Sequence, residues 1–380
     1  MPSHRATLYI PWISGLLFLI VLVPTLVQRS FRQDLDILLL ASERLYQGLP
    51  VYVEGMNPHT KPPFLGMLIW PLNLIPKTAL FRIWDFLNFL SFFGLAISFS
   101  KYFLPSTCLK TSVSILVLFC LNQLGGEVRY GQFNLLAYAL VYYLFFSKRY
   151  SLLGSVCFFV TLLKPVNGIL FVWGLLAAQE NRLRILLSAA LSALTCFLLY
   201  LALFGWSHFV MEHRIWLRFV EGPIASQWMG TLDGFATWLF QMGLGSSSTI
   251  SRLVGILAIL ITSVLTLRVH DIRISFVLVG MLLAVLNPIP FKHNYVVLVG
   301  FYAWCFKDFL SPQTKHQKTI LLLGFLLTYF SFQIYSPTTF HWAMWKKIKP
   351  NTYGFYSTLV LSIGMALPWL NKQTRRRVRA

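Results

Sequence analysis

Apolar residues recur along this chain in long runs, and the polar residues that interrupt them are few: Asp34/Asp36, Lys61, Arg129/Gln132/Asn134, Lys164 and Lys292/His293. A helix that crosses a bilayer needs roughly 20 mostly apolar residues, and such runs fill almost the whole length. They do not show the short alternation of a strand barrel. The first run, Leu8 to Val27, is too long for a signal-peptide core and has no small-residue cleavage site before Gln28, which predicts an uncleaved anchor. An amphipathic stretch from Leu35 to Tyr46 predicts a helix lying on the membrane surface. Pro62 to Pro76 is short and broken by Pro62, Pro63, Pro71 and Pro76, which predicts a re-entrant or interfacial piece covered by protein or water. A full span there would invert everything after it. Thr78 to Ser100 and Ser112 to Leu124 predict the second and third spans.

Orientation follows from Lys and Arg, which collect in short cytoplasmic loops. With the N-terminus inside, the inner loops carry Lys101/Lys110, Lys148/Arg149, Arg182/Arg184, Arg268/Arg273 and Lys307/Lys315/Lys318, and the tail carries Arg375/Arg376/Arg377/Arg379. The expectation is an all-α, polytopic transmembrane bundle of about twelve spans, a single domain over residues 1–380 with both termini cytoplasmic. Gln28 to Lys61, Gly205 to Ile250 and Ser336 to Asn351 would then face outside. Every polar interruption falls on that outer side, at one level.

Composition agrees with this class: 57% hydrophobic residues, 12% charged and a mean hydropathy of +0.66 exclude a soluble globule. The net charge of +20 divides in two. Roughly half of the cations are the inner anchors, so no nucleic-acid partner is required. Lys61, Arg129, Lys164 and Lys292 lie on the outer side, where cations are normally depleted, and an anionic ligand such as a lipid phosphate is the simplest reason for them. Cys108, Cys120, Cys157, Cys196 and Cys305 lack paired or metal-ligand spacing, so neither a disulfide framework nor a zinc site is indicated.

Each polar position has a functional and a structural reading. Asp34 and Asp36 follow the first span; a carboxylate there can take a proton from a hydroxyl, or Asp34 can cap a helix beginning at Leu35. Gln132 and Asn134 can bind a ligand or tie helices together. Lys164 can snorkel from a helix end, yet Pro165 and Asn167 after it signal a broken helix, a usual place for a membrane protein to hold a ligand. His293 stands beside Lys292 and two prolines on the same face.

The segment from Asp34 through Ala41 and Ser42 to Arg44, Gly48 and Tyr52 resembles the polyprenol-phosphate-mannose-dependent α-1,2-mannosyltransferases, a family of GT-C integral-membrane glycosyltransferases. In that family an aspartate of the first extracytoplasmic loop precedes an amphipathic helix ending in Gly and a nearby Tyr. Lys61-Pro62-Pro63-Phe64 followed by Trp70-Pro71-Leu72 looks like its Tyr-Pro-Pro-Leu and Pro-Leu elements, with Lys61 replacing the Tyr, and Trp84 fits too. Gly131-Gln132-Phe133-Asn134 matches its Gly-Gln-x-Asn motif, and Lys164-Pro165 its Lys-Pro pair. Asn287 to Tyr295 is similar to its late Pro/His-Tyr region, and Met229 to Gly234 weakly to a further loop.

The resemblance implies a sugar, most simply mannose, moved from a polyprenyl-phosphate donor to a hydroxyl of a glycolipid or glycan acceptor. It implies inversion, Asp34 as general base, and a site facing away from the cytoplasm of a bacterial inner membrane. Arg129, Lys164, Lys292 and His293 would hold the phosphate, and Gln132 with Asn134 the sugar or head group. Asp36 is the reserve carboxylate and Lys61 a further cation without a family role. No metal or other cofactor is needed, because the donor already carries a good leaving group. The rival class, a transporter or flippase of lipid-linked substrates, predicts paired broken segments in two repeated halves, and no internal repeat is visible.

Overall fold

The structure, a computed structural model, describes residues 33–52, 61–221, 247–286, 292–312, 314–329 and 357–366, with isolated positions at 11–12, 14–16, 239 and 242–243. The described residues are helical, without strands. Most of the first apolar run, Met229 to Gly234, the 287–291 segment, Ser336 to Asn351 and the arginine tail lie outside them.

In chain order the helices are α1 (Gln33–Tyr46), α2 (Pro63–Ile69), α3 (Lys77–Phe103), α4 (Leu109–Tyr130), α5 (Asn134–Phe146), α6 (Tyr150–Leu163), α7 (Gly168–Ala177), α8 (Arg182–Glu221), α9 (Ser247–Arg268), α10 (Ile272–Val285), α11 (Val299–Leu310) and α12 (Lys315–Tyr329). Short 3₁₀ turns cover Trp70–Leu74, Pro165–Asn167, Gln179–Asn181 and Lys292–Leu298. α1 is the amphipathic helix the sequence predicts, but it starts at Gln33. Asp34 therefore stands inside the first turn instead of capping a helix at Leu35, and both aspartates complement the positive end of the helix dipole.

The expectation of about twelve spans is not supported. Among the described residues two helices are long and apolar enough to cross a membrane, α3 and the helix over Gln179–Leu217; α4, bent by 61° at position 122, makes a third if it counts as one span. α5, α6, α7 and α10 are apolar but have only 10 to 14 residues. At about 1.5 Å per residue they fall short of a hydrocarbon core of about 30 Å. Windows of hydropathy run across Gly131 and Pro165, whereas the backbone turns or breaks there. The third predicted span also has other bounds, because α4 continues to Tyr130. Past Gly205 (φ 80°, ψ 167°), where an outer segment was expected to begin, α8 kinks and stays helical to Glu221.

The main core lies among α3, α4, α5, α10 and α11, around Phe92, Phe99, Tyr138, Phe276 and Tyr302. Two buried polar pins cross it: Trp173 Nε1 donates to Ser275 Oγ at 2.9 Å and Tyr138 OH to the Phe276 carbonyl at 3.1 Å. α6 and α8 approach so closely that a Cβ on Gly154 would stand 2.2 Å from the Ile185 carbonyl oxygen.

A second cluster holds α1 in place: Leu35, Leu38 and Leu39 pack on Leu65, Ile69, Leu80, Phe81 and Trp84 of α2 and α3. Asn73 Nδ2 donates to the Leu39 carbonyl at 3.2 Å. On the other side of α2, Phe64 meets Tyr200, Phe209 and His213 of α8 at ring distances of 4.9 to 5.6 Å. Followed through its short connections, the chain alternates between two ends. The start of α1 and α3, the α4–α5 turn and the end of α6 share one end, and Lys101, Arg149, Arg184 and Arg273 share the other.

Candidate functional site

The site is built on the reversal between α4 and α5. Gly131 adopts φ 64°, ψ 40°, a left-handed conformation that glycine takes without steric cost. Its N–H donates to the Val128 carbonyl at 3.2 Å and that of Gln132 to the Glu127 carbonyl at 3.0 Å, the paired bonds of a Schellman cap. The chain turns back and α5 starts at Asn134. The Glu127 side chain spans the turn: Oε1 accepts from the Leu135 N–H and Oε2 from Asn134 Nδ2, both at 2.9 Å. A fully buried carboxylate thereby satisfies an amide that the first turn of α5 would otherwise leave unpaired. Phe133 sits edge-on to Trp84 at 4.3 Å, and Trp84 Nε1 donates to the Gln132 carbonyl at 3.3 Å.

Gln132 is fixed by its backbone, and its side chain joins two distant segments. Its Nε2 donates to Asp34 Oδ2 in a close contact across 98 positions of sequence, and its Oε1 accepts from Lys164 Nζ at 3.0 Å. A carboxylate on one side and an ammonium on the other fix the orientation of the amide. Lys164 stands at the end of α6 with φ −148°, ψ 119°, because the residue before a proline is pushed out of the helical region. The break is held by Asn167, whose Nδ2 donates to the Val160 carbonyl at 3.2 Å and whose N–H donates to the Lys164 carbonyl at 2.9 Å.

Lys61 joins the same group. Tyr52 OH donates to its carbonyl at 2.6 Å, and its charge is coupled to those of Asp34 and Lys164. Burial lowers the pKa of the Lys61 ammonium from its ordinary value, and the Asp34 carboxylate partly opposes that shift. A partly exposed carboxylate flanked by two ammonium groups and an oriented amide can accept a proton beside a place that favours an anion.

The model of glycosyltransferase family 87 matches residues 59–288, more than half of the chain. The chain belongs to glycosyltransferase family 87. No curated protein and no solved structure matches. Membership makes the protein a sugar-transferring enzyme, and with the apolar helices it indicates a membrane protein. The matched region contains Lys61, Arg129, Gln132, Asn134 and Lys164. Asp34 stands outside it and reaches it through Gln132.

For a family 87 glycosyltransferase the remaining candidates divide clearly. Asp36 faces away from the group and pairs with Lys77 at 3.6 Å. Arg129 is exposed, its guanidinium 6.0 Å from the centre of the Tyr130 ring. Asn134 is buried and donates to Glu127, so it helps to build the turn beneath Gln132. Lys292 and His293 begin a 3₁₀ turn packed on α4, α5 and α10; their side chains lie outside the described residues. Among the described residues no three His, Cys, Asp or Glu side chains form a group able to hold a metal. Sequence reasoning missed Glu127. Its signal was present, a carboxylate inside an apolar run five residues before Gln132, since such a residue is costly in a membrane helix and calls for a partner.

Proposed function

We propose that this family 87 enzyme moves mannose from a polyprenyl-phosphate donor to a hydroxyl of a glycolipid or glycan acceptor, with inversion at the anomeric carbon. The observation that carries this reading is the bridge of Asp34 and Lys164 through Gln132, which sets a base and a cation on either side of one amide. Asp34 takes the acceptor proton as the acceptor oxygen bonds to the anomeric carbon. The bond to the phosphate oxygen breaks, its electron pair leaves with the phosphate, and Lys164 and Lys61 stabilise the departing charge. A β-linked donor gives an α-linked product. Arg129, Lys292 and His293 are the further groups available to hold a larger donor head group, and Gln132 positions the sugar beside Asp34.

In this reading the fold is of the GT-C type and the bundle is multi-pass in a bacterial inner membrane. The basic end and both termini lie in the cytoplasm, as the positive-inside rule requires, and the Asp34 end lies outside. The test is transfer from a radiolabelled polyprenyl-phosphate mannose by purified protein in vesicles. Labelled acceptor is the expected product; movement of donor between leaflets without transfer would replace the enzyme reading with a flippase.

The Lys61 assignment predicts a pH effect. Its cation exists below its pKa, which burial lowers, so kcat/KM should fall on the alkaline side at a lower pH than an ordinary lysine would give. Lys61→Arg should move that limb upward. A limb unmoved by this substitution removes Lys61 from the phosphate role.

A further inference from the structure

At the end of the bundle opposite Asp34, Ser98, Lys101 and Tyr102 of α3, Pro105, Tyr142 of α5 and Arg273 of α10 line a cleft of about 340 Å³. The Arg273 guanidinium lies 4.5 Å from the centre of the Tyr102 ring and 5.4 Å from that of Phe146, so two aromatic faces hold it in position. Its nearest carboxylate, Asp271, attracts it electrostatically but spends its hydrogen bonds elsewhere. Asp271 Oδ1 caps α10 by accepting from the N–H groups of Arg273 at 2.9 Å and Ile274 at 3.3 Å, and Oδ2 accepts from Tyr102 OH. Among the described residues no carboxylate lies within ion-pair distance of the Arg273 guanidinium or of the exposed Lys101 ammonium.

We infer that this cleft binds the phosphate of an anionic membrane lipid. A planar guanidinium held on rings, with a lysine and hydroxyls beside it, suits phosphate oxygens, which it can engage bidentately. The source of that phosphate follows from the walls. Ile97, Leu140 and Tyr143, on the same two helices, are 37–40% exposed, an apolar strip along which acyl chains lie. Phosphate on a soluble molecule would leave that strip unused. A second basic cleft of about 310 Å³, lined by Lys148, Arg149, Tyr150 and Arg184, serves as a comparison, since among the described residues none of its cations stands over a ring as Arg273 does.

Native mass spectrometry of the full-length protein should show phosphatidylglycerol retained over phosphatidylcholine. Lys101→Gln combined with Arg273→Gln should lower that retention about tenfold, the effect of losing about 1.4 kcal/mol, while Lys148→Gln with Arg184→Gln leaves it within about twofold. Lys101→Gln alone, at an exposed side chain, should lower it several-fold without changing the melting temperature, which keeps the test valid if the Arg273 variant folds poorly. Equal retention in both double variants would reduce the effect to general attraction between basic loops and anionic lipid and overturn the site. Full displacement of the lipid by millimolar inorganic phosphate would overturn the lipid assignment in favour of a soluble anion.

Discussion

Asp34→Asn is expected to lower kcat for sugar transfer by about 10²–10⁴-fold, the usual worth of a positioned general base, with the donor KM changed by less than about threefold. Asparagine keeps the shape of the side chain, and its oxygen can still accept from Gln132 Nε2, so α1 should stay docked through Leu35, Leu38 and Leu39. What disappears is the proton acceptor. Asp36→Asn is the matched comparison: two positions along an α-helix is a rotation of about 200°, which turns Asp36 toward Lys77. That pair joins an exposed lysine to a partly exposed aspartate and is worth about 0–1 kcal/mol, so transfer should be nearly unchanged. Initial rates with labelled donor decide the matter, and an Asp34→Asn enzyme as fast as wild type removes the base assignment.

Replacing Glu127 by alanine should be the most destabilising change near the site, by about 3 kcal/mol, because the hydrogen bonds that Leu135 and Asn134 make to a buried carboxylate are lost together. The Leu135 N–H and the Asn134 amide would lose their acceptors in an apolar surrounding. The melting temperature in detergent should fall, and activity should fall with it, since Gln132 depends on the same turn. Glu127→Gln keeps one acceptor oxygen and should lie between the two. Asn134→Ala combined with Glu127→Ala should cost less than the sum of the single changes, as expected for partners in one network. A Glu127→Ala protein that melts with the wild type would show that the turn stands without its carboxylate.

These two sites differ in how far they can be read from the chain. α1, α3, the Gly131 reversal and the Lys164–Pro165 break are local consequences of amphipathic spacing, of glycine in the left-handed region and of proline's effect on its neighbour. The expected count of about twelve spans lacks support among the described residues for a related reason: averaged hydropathy does not register that one glycine or proline can end a helix after 13 or 14 residues. Glu127, a carboxylate inside an apolar run, signals that it needs a partner, but the chain does not show which, because its acceptors meet donors on the far side of a turn.

The sequence by itself determined the class of protein, the apolar segments, the concentration of Lys and Arg at one end, and the residue types from which a base and an anion site can be made. Tertiary structure alone decided which of them meet. Asp34 rather than Asp36 faces Gln132 because the apolar side of α1 is pressed on α2 and α3. Lys61 joins the group while exposed Arg129 lies over Tyr130, a distinction that charge and position in the chain do not carry. The reason is physical: helix ends and breaks are set by a few neighbouring residues, whereas the direction of a polar side chain is set by packing between segments far apart in sequence.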